Sequence, residues 1–234
     1  MANKGHSSHT KRISLGRNLR VSGRKSVVWL TTSKPGPHPK DSSMPLSMLL
    51  REEIPVCKDL AEAKKVLNSG AVLIDGKAVK DCKRPIGLMD IISLPSSSKH
   101  YRMQIIGGQL RAKEISGQGA KIKYCKVVGK RSCKGSKISI TLHDGRTMFA
   151  DNKVKVGSTL KMSVPDFKLQ GQIEMAEGAQ CFVIKGKHAG KLAHLKKITQ
   201  KEGAMPTRGH LEENGEEFVT LTNYLIAVDD GFEK

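Results

Sequence analysis

No long apolar stretch occurs in this 234-residue chain. The longest uninterrupted apolar run has five residues, 224–228, whereas a membrane-spanning helix needs about 20. The first residues also lack the apolar segment of a secretory signal. These absences exclude an integral membrane protein built on helices, and they predict a cytoplasmic location.

Cysteine pairs at metal-binding spacing are missing as well. No two of the five cysteines are separated by the two to four residues typical of zinc sites, and their odd number argues against a disulfide framework. The eight histidines form no His-Glu-x-x-His pattern. We therefore expect free thiols in a reducing compartment, with no metal and no cofactor. The cysteines are Cys57, Cys82, Cys125, Cys133 and Cys181.

Catalytic signatures are also absent. His143 and Asp144 could suggest part of a hydrolase triad, but Asp144 is explained by a turn and the chain has no Gly-x-Ser-x-Gly elbow. The spacing from Gly186 to Gly190 is one residue too short for a P-loop, and Leu192 stands where a P-loop has serine or threonine. The sequence therefore predicts a protein that is not an enzyme.

Positive charge is what the chain has in excess. Its 41 lysines and arginines against 22 acidic residues give a formal net charge of +19. Such a surplus favours a polyanionic partner, because each neutralised phosphate releases condensed counterions. Aromatic residues make up only 4% of the chain, which disfavours a protein that reads single strands by stacking many bases. Recognition of the backbone and shape of folded RNA suits this composition better.

The first 42 residues predict a basic extended arm. Residues 1–40 contain nine basic residues and no acidic one. The run Pro35-Gly36-Pro37-His38-Pro39 prevents regular structure, because each proline fixes φ and lacks an N–H donor. Two interpretations follow: a disordered tail without contacts, or an arm that orders on RNA, with Trp29 as a stacking or packing anchor. The charge density favours the second.

Residues 44–94 begin with two apolar patterns at helical spacing. Asp59 and Glu62 precede the second pattern at the spacing of a capping box, in which two side chains bond free N–H groups at the helix start. Gly70 follows the pattern, at the position where a residue with positive φ commonly ends a helix. Two short helices are therefore expected.

A tight hairpin is expected after the two helices. Asp75-Gly76 lies between two short strand-like runs and favours a type I′ turn, in which both central residues need positive φ. A last strand is expected at residues 91–94. This order resembles the small RNA-binding module named after bacterial ribosomal protein S-four. The residues that carry the resemblance include Leu49-Leu50, Ala63-Lys64, Gly70, Val72-Leu73-Ile74-Asp75-Gly76-Lys77 and Pro85-Ile86-Gly87.

Residues 96–166 predict a lysine-rich β domain. They contain fifteen basic and four acidic residues, whereas residues 44–95 are nearly neutral with eight basic and seven acidic residues. Apolar residues alternate with polar ones at a period of two, and Asp144-Gly145 predicts a second tight hairpin. Strands with one apolar and one lysine-bearing face would present lysines to phosphates. The alternating lysines are Lys121, Lys123, Lys126 and Lys137.

Residues 177–193 resemble the KOW element of ribosomal proteins and transcription elongation factors, in which two strands flank a basic loop rich in glycine. Gly186 and Gly190 would permit tight turns and close approach to a phosphate. The net charge then becomes negative, since residues 211–234 contain seven acidic residues and one basic residue. This acidic end either pairs with the protein's own basic surface, contacts a basic neighbour or remains solvated.

Together the segments resemble the small-subunit ribosomal protein S-four-e family of archaea and eukaryotes over nearly the full length. Two further motifs support this resemblance, Leu142-His143-Asp144-Gly145-Arg146 and Gly186-Lys187-His188-Ala189-Gly190. The resemblance implies a structural role in the small ribosomal subunit, with 16S-type rRNA and neighbouring small-subunit proteins as partners. It also implies one copy per ribosome, no catalysis and no cofactor. The expected α+β fold comprises a basic N-terminal arm (1–42), an S-four-like module of two helices and a β-hairpin (43–95), a central β domain (96–168) and a C-terminal SH3-like KOW β-barrel (169–234).

The resemblance places the RNA contacts on the arm, the module and the KOW loop. Lysines near the ends of elements are equally common on solvated faces, so only the resemblance marks those of the module. The candidate residues of the arm are Lys4, Lys11, Arg12, Arg17, Arg20, Arg24, Lys25, Lys34 and His38. The module supplies Arg51, Lys58, Lys64, Lys65, Lys80, Lys83 and Arg84, and the KOW loop supplies Lys185, Lys187, His188 and Lys191.

Two other classes of protein contain one of these elements. An RNA-modification enzyme with an S-four module needs a large catalytic domain with an aspartate in an Arg-Leu-Asp setting, and this tripeptide is absent. A KOW transcription factor that binds polymerase predicts a hydrophobic docking face and a less charged arm. Both alternatives are disfavoured.

Overall fold

Strands dominate the fold of this protein. The computed structural model describes residue 7 and residues 9–135, 137–200, 205–213 and 215–232. Within these residues two α-helices occur, both in the region of the predicted module. The candidate residue Lys4 lies outside the described residues.

Two compact units make up the chain. The first unit comprises residues 1–104 and 109–114, and the second comprises residues 105–108 and 115–234. The finer division into an arm, a module, a central β domain and a KOW barrel stays a prediction.

The first unit begins with a two-stranded antiparallel ribbon. Strand β1 (His9–Lys11) pairs with β2 (Trp29–Thr31). Thr10 lies opposite Leu30, and Leu30 is buried with 3% of its surface exposed. Because side chains alternate along a strand, one face of the ribbon packs inward and the other faces solvent.

The two predicted helices are present, and their apolar faces form the core of the first unit. Helix α1 (Leu46–Met48) continues into a π-helical turn (Leu49–Glu53), and α2 (Leu60–Asn68) follows. A π-turn has one more residue per hydrogen-bonded ring than an α-helix, so the first helix ends wider than its sequence pattern suggests. The fully buried apolar residues of these segments are Leu46, Leu49, Leu50, Ala63 and Leu67.

The helix ends follow the sequence in part. Glu62 accepts a hydrogen bond from the Lys58 backbone N–H at 2.8 Å, but the Asp59 side chain makes no capping bond. The predicted capping box is therefore only partly formed, because Glu62 accepts a backbone N–H at the helix start and Asp59 does not. Gly70 has a φ of +74°, as expected for the residue that ends α2.

A five-stranded sheet completes the first unit, in the order β5-β4-β7-β8-β9. Asp75 and Gly76 have φ values of +49° and +74°, which confirms the type I′ turn between β4 and β5. Asp75 is buried, and its Oδ1 accepts the Ile91 N–H at 3.1 Å. A separate pair is formed by β3 (Met44–Pro45) and β6 (Pro85–Ile86). The sheet strands are β4 (Leu73–Ile74), β5 (Lys77–Ala78), β7 (Ile91–Leu94), β8 (Lys99–Ile106) and β9 (Gln109–Ile115).

The second unit contains a central antiparallel sheet in the order β12-β11-β10-β13-β14. Its core includes Cys125, Val127, Ile140 and Leu160, all with 0% exposure. The strands are β10 (Ile122–Ser132), β11 (Ile138–Leu142), β12 (Thr147–Ala150), β13 (Thr159–Ser163) and β14 (Leu169–Ile173).

The expected lysine-bearing outer face of β10 is wrong. Lys123 and Lys126 are buried, with 1% and 8% exposure. The register shifts between Val127 and Gly129, so a β-bulge interrupts the alternation, and Val128 is 58% exposed. Lys123 and Lys126 precede this bulge, in a stretch where residues 123–127 are buried on both faces of the strand, so a period of two does not mark a solvent face there.

Asp144-Gly145 does connect two strands, but through a longer turn than predicted. Only Gly145 has positive φ, at +76°, and the Leu142 N–H bonds the Arg146 carbonyl across a loop. Asp144 is 1% exposed, and its Oδ2 lies 3.4 Å from Lys123 Nζ and 3.3 Å from Arg146 Nε. Asp144 is thus a buried carboxylate between two basic side chains, and its backbone lacks the positive φ that a type I′ turn requires.

The second unit ends in another antiparallel sheet, in the order β18-β17-β16-β15-β19. Its buried core includes Cys181, Val183, Leu195 and Leu225. That this sheet closes as an SH3-like barrel stays a prediction. The strands are β15 (Gln180–Val183), β16 (Leu192–Thr199), β17 (Arg208–Glu213), β18 (Glu216–Leu221) and β19 (Leu225–Ala227).

All five cysteines are free thiols in this structure. No helix within the described residues is long and apolar enough to cross a membrane.

Candidate nucleic-acid interface

A buried ion pair attaches the N-terminal arm to the first helical segment. Arg12 Nη2 lies 2.8 Å from Glu52 Oε1, and the two side chains are 3% and 7% exposed. Burial alone would raise the pKa of Glu52, but hydrogen bonds from Ser22 and Arg12 lower it below its ordinary value. The arm is therefore not a tail without contacts. The guanidinium of Arg12 is buried and paired with Glu52, so it is not exposed to solvent in this structure.

The proline-rich joint of the arm also packs on the module. His38 is buried, and its Nε2 lies 2.9 Å from Asp90 Oδ2, which accepts the Gly87 N–H at 2.9 Å. A Cβ added at Gly87 would lie 2.7 Å from Cδ2 of His38 and closer still to Cγ and Nδ1. Gly87 is therefore needed for the imidazole to reach Asp90. The proline-rich run 35–39 and the Pro85-Ile86-Gly87 motif, which lie far apart in the sequence, thus contact each other.

Other basic residues of the arm face carboxylates as well. Lys34 Nζ lies 3.0 Å from Asp81 Oδ2 at the surface, and the Lys34 N–H bonds the Lys83 carbonyl. Glu53, whose side chain is 4% exposed, lies 3.8 Å from Arg20 and 3.9 Å from Arg111. Burial raises the pKa of Glu53, although Arg20 opposes the change.

Several candidates of the arm remain accessible. Arg24 is half-buried because its guanidinium donates to the Leu15 and Gly16 carbonyls at 2.8 and 3.3 Å. Solvent-exposed members of the arm set are Lys11, Arg17, Arg20, Lys25 and Lys34.

The exposed candidate lysines of the module lie on helix α2, just before α2 and after strand β5. Arg51 donates from Nε to the Lys58 carbonyl at 3.0 Å, so this arginine ties the two helical segments together. Lys83 and Arg84 are half-buried. The exposed candidates are Lys58, Lys64, Lys65 and Lys80.

The central sheet adds an exposed basic hairpin tip whose residues were not among the predicted RNA contacts. Residues 115–143 contain no acidic residue, and strands β10 and β11 meet within this range. Arg131, Lys134 and Lys137 are exposed there, and Lys137 Nζ lies 5.8 Å from the centre of the exposed Phe149 ring. The acid-free run was the sequence signal that could have found this tip.

The loop between β15 and β16 depends on two glycines. Gly186 and Gly190 have φ values of +93° and +95°, a region that other residues adopt with strain. A Cβ added at Gly190 would lie 2.7 Å from the Ile105 carbonyl oxygen. Gly190 N–H donates to the Val183 carbonyl at 2.8 Å, which closes the loop.

Two of the four candidate residues of this loop are exposed, and two contact the protein itself. Lys185 and Lys187 are exposed. His188 stacks on Phe218 with ring centroids 4.3 Å apart. Lys191 forms an ion pair with Glu213, and this hydrogen bond raises the pKa of Lys191.

The acidic end of the chain pairs with the protein's own lysines. Lys196 Nζ lies 3.0 Å from Glu212 and 2.7 Å from Glu217. Asp229 binds Lys161 and accepts a hydrogen bond from Tyr124. Part of the acidic end therefore pairs with the protein's own basic side chains, and contact with a basic neighbour stays a prediction.

The residues that the structure describes contain no group of three or more histidine, cysteine or acidic side chains that could hold a metal ion. The accessible chemistry is that of separate ammonium and guanidinium groups. Such groups bind phosphate oxygens by charge-assisted hydrogen bonds.

Comparison with known proteins places this chain among the ribosomal proteins. Residues 97–169 match the family model described as "Ribosomal family S4e". Small ribosomal subunit protein eS4 of Nanoarchaeum equitans is 33% identical over 96% of this chain and 97% of its own length. The eS4 protein of Methanococcus aeolicus is 35% identical over 98% of this chain and 97% of its own length. The chain belongs to the S4e family of ribosomal proteins.

A solved structure agrees with this assignment. The crystal structure of 30S ribosomal protein S4e from Thermoplasma acidophilum superimposes with a TM-score of 0.71 at 31% sequence identity. The superposition covers 81% of this chain and 96% of that chain.

Proposed function

We propose that this protein is a constituent of the small ribosomal subunit that binds 16S-type rRNA through several separate basic surfaces. Membership of the S4e family, with relatives named small ribosomal subunit protein eS4, is the observation that carries the proposal. The protein acts in the cytoplasm as part of the ribosome and supports subunit assembly and translation. Neighbouring small-subunit proteins are its other partners, with one copy per ribosome.

Four basic surfaces are the proposed contacts with RNA. They are selected because their side chains are exposed and carry net positive charge. Electrostatic binding of this kind is cumulative, since each phosphate contact adds a roughly equal term to the salt dependence of affinity. The surfaces are the arm (Lys11, Arg17, Lys25), the module (Lys58, Lys64, Lys65, Lys80), the β10–β11 tip (Arg131, Lys134, Lys137) and the β15–β16 loop (Lys185, Lys187), whereas Arg20 and Lys34 of the arm face Glu53 and Asp81.

The remaining candidates have structural roles in this proposal. Arg12 and His38 attach the arm through Glu52 and Asp90. Lys191 is held by Glu213 on the neighbouring hairpin. A group that is already neutralised contributes less to phosphate binding, so these residues position the contacts made by others.

The absence of catalysis and of a cofactor is part of the same proposal. It is supported by the family, whose relatives are named as ribosomal proteins, and by the missing enzyme motifs in the sequence. A structural RNA-binding protein needs the shape and charge found here and no reactive group.

Two matched double variants test the proposed surfaces. Lys185→Gln with Lys187→Gln removes two exposed charges from the loop, whereas Lys155→Gln with Lys196→Gln removes two lysines that face carboxylates, Glu174 among them. Filter binding to 16S-type rRNA at several salt concentrations is the measurement. The loop variant should reduce the salt-dependence slope by about two, and the control should change it little.

Co-sedimentation with small subunits completes the test. The unaltered protein should sediment with the subunit and be released as salt rises. Failure to sediment with the subunit at low salt would contradict the ribosomal role. Equal effects of the two double variants would contradict the assignment of the loop.

A further inference from the structure

The solvent face of the arm's ribbon carries an indole, an imidazole and an ammonium group. Lys11 lies directly opposite Trp29 in the β1–β2 register, so the two side chains share a face. His9 contacts Trp29 edge to face, with ring centroids 4.5 Å apart and an interplanar angle of 81°. The opposite face, with Leu30, packs inward.

Trp29 is not a packing residue in this structure. It retains 50% exposure, whereas Leu30 beside it retains 3%. Three further apolar residues near the ribbon, Ile13, Val27 and Val28, are 65%, 49% and 63% exposed. Exposed apolar side chains are unfavourable in water, so the half-exposed indole favours an interaction with a partner.

Charge and geometry indicate what covers the ring. Residues 1–40 contain no acidic side chain, so the ribbon stands in a purely basic segment. A flat π-system beside an ammonium group matches an unstacked nucleotide, which offers a base to the ring and a phosphate to the cation.

Resting on the proposed function, we infer that Trp29 stacks on an unpaired base of the bound RNA while Lys11 contacts a phosphate of the same strand. His9 acts as a positioning residue, because its edge-to-face contact fixes the orientation of the indole. The arm thus combines one base contact with many backbone contacts. This combination agrees with the low aromatic content of the chain as a whole.

Intrinsic fluorescence tests the inference directly, because Trp29 is the only tryptophan in the chain. The probes are a short single-stranded RNA of mixed sequence and an abasic strand with the same number of phosphates, both at low salt. Stacking should produce saturable quenching with the RNA and little with the abasic strand. Equal quenching by both strands, or no saturable quenching by the RNA, overturns the inference.

Variants separate this inference from the proposed function. Trp29→Ala should weaken binding of the short RNA about 5- to 100-fold, since a base–aromatic stack contributes that much, and Trp29→Phe should retain most of the affinity. Lys11→Gln should reduce the salt-dependence slope by about one. Circular dichroism checks that each variant is folded.

Two outcomes would point elsewhere. If Trp29→Ala binds the short RNA normally but sediments poorly with small subunits, the ring contacts a ribosomal protein and the inference fails, while the ribosomal role stands. If the unaltered protein binds neither 16S-type rRNA nor small subunits, the proposed function itself fails.

Discussion

The side-chain nitrogen of Lys126 lies 2.7 Å from the carbonyl oxygen of Leu225, a residue 99 positions further along the chain. The same nitrogen donates to the carbonyls of Thr222 and Asn223 at 3.1 and 2.9 Å. Lys126 belongs to the central sheet of the second unit, whereas the carbonyls of Thr222 and Asn223 belong to the turn before β19 and that of Leu225 to its first residue. A lysine that the sequence pattern would assign to phosphate binding thus satisfies buried backbone acceptors.

The stability contribution of Lys126 should depend on pH. Burial lowers the pKa of Lys126 to about 8 from its ordinary value of 10.5. Between these values the unfolded chain binds more protons at this position than the folded chain, so the free energy of unfolding should rise with pH. Urea denaturation at pH 7 and pH 9 should show a rise of about 1 kcal/mol in the unaltered protein relative to Lys126→Met.

Lys121→Met is the control for this prediction, because Lys121 is exposed just before the same strand. It should follow the unaltered protein at both pH values. Cys181, whose pKa burial raises to about 11, is present in all three proteins, so its own contribution largely cancels when they are compared at the same pH. A constant difference between the unaltered protein and Lys126→Met at the two pH values would contradict the prediction.

Arg12→Met should release the arm from the first unit. The substitution leaves the Glu52 carboxylate buried without its cation, which costs about 3–5 kcal/mol for buried pairs. The amide of residue 12, which bonds the Val28 carbonyl at 2.9 Å, should then exchange faster with deuterium. Arg17→Met is the matched control, because Arg17 is an exposed arginine of the same arm. Equal exchange in the two variants would show that the buried pair does not hold the arm.

The same ion pair gives the arm an acid-sensitive attachment. The pKa of Glu52 is below its ordinary value of 4.5, so its stabilising contribution is present above pH 4.5 and is lost as the pH falls below it. Exchange at the arm amides, corrected for the intrinsic pH dependence, should therefore accelerate below pH 4.5. In Glu52→Gln this extra acceleration should be absent.

Gly87→Ala should displace His38 from Asp90. The added Cβ would lie within the imidazole ring's contact distance, so either the ring or the strand must move. We expect a loss of about 1–3 kcal/mol in the free energy of unfolding. His38→Ala in the same chain should remove the clash and make the effect of Gly87→Ala much smaller. Gly129→Ala is the control, because its nearest atom would be an ordinary 3.9 Å away.

Glu213→Gln should free Lys191 for RNA. The ion pair between them at present neutralises a lysine of the β15–β16 loop. Without this ion pair, the slope of log affinity against log salt should steepen by up to about one unit, which corresponds to one additional phosphate contact. Filter binding of Glu177→Gln, which removes an exposed acid nearby, controls for net charge. If both variants change the slope equally, Lys191 gains no contact of its own.

Local turn and helix signals were the most predictable part of the fold. Asp75-Gly76 formed the expected turn because positive φ at both positions is a property of those two residues. Gly70 ended its helix for the same reason. Asp144-Gly145 has the same letters, but Asp144 is drawn inward by Lys123 and Arg146, two contacts that no local rule contains.

Burial of charged side chains was the least predictable part. The composition indicated a polyanion-binding protein, yet it could not tell Lys126, which binds carbonyls, from Lys134, which is exposed. The difference arises from tertiary contacts, because Lys126 packs against residues 222–225, which lie far away in sequence. In the same way, nothing in the sequence indicated that Arg12 is paired, because its partner Glu52 lies in the predicted module and not in the arm. Selecting contact residues therefore requires tertiary structure, whereas selecting the partner class required only charge.

The pairing of Arg12 with Glu52 also has a consequence for synthesis of the chain. The carboxylate that receives the Arg12 guanidinium is synthesised 40 residues after Arg12. The arm can therefore dock on the first unit only after Glu52 has been synthesised, so this contact forms late relative to the ribbon that precedes it.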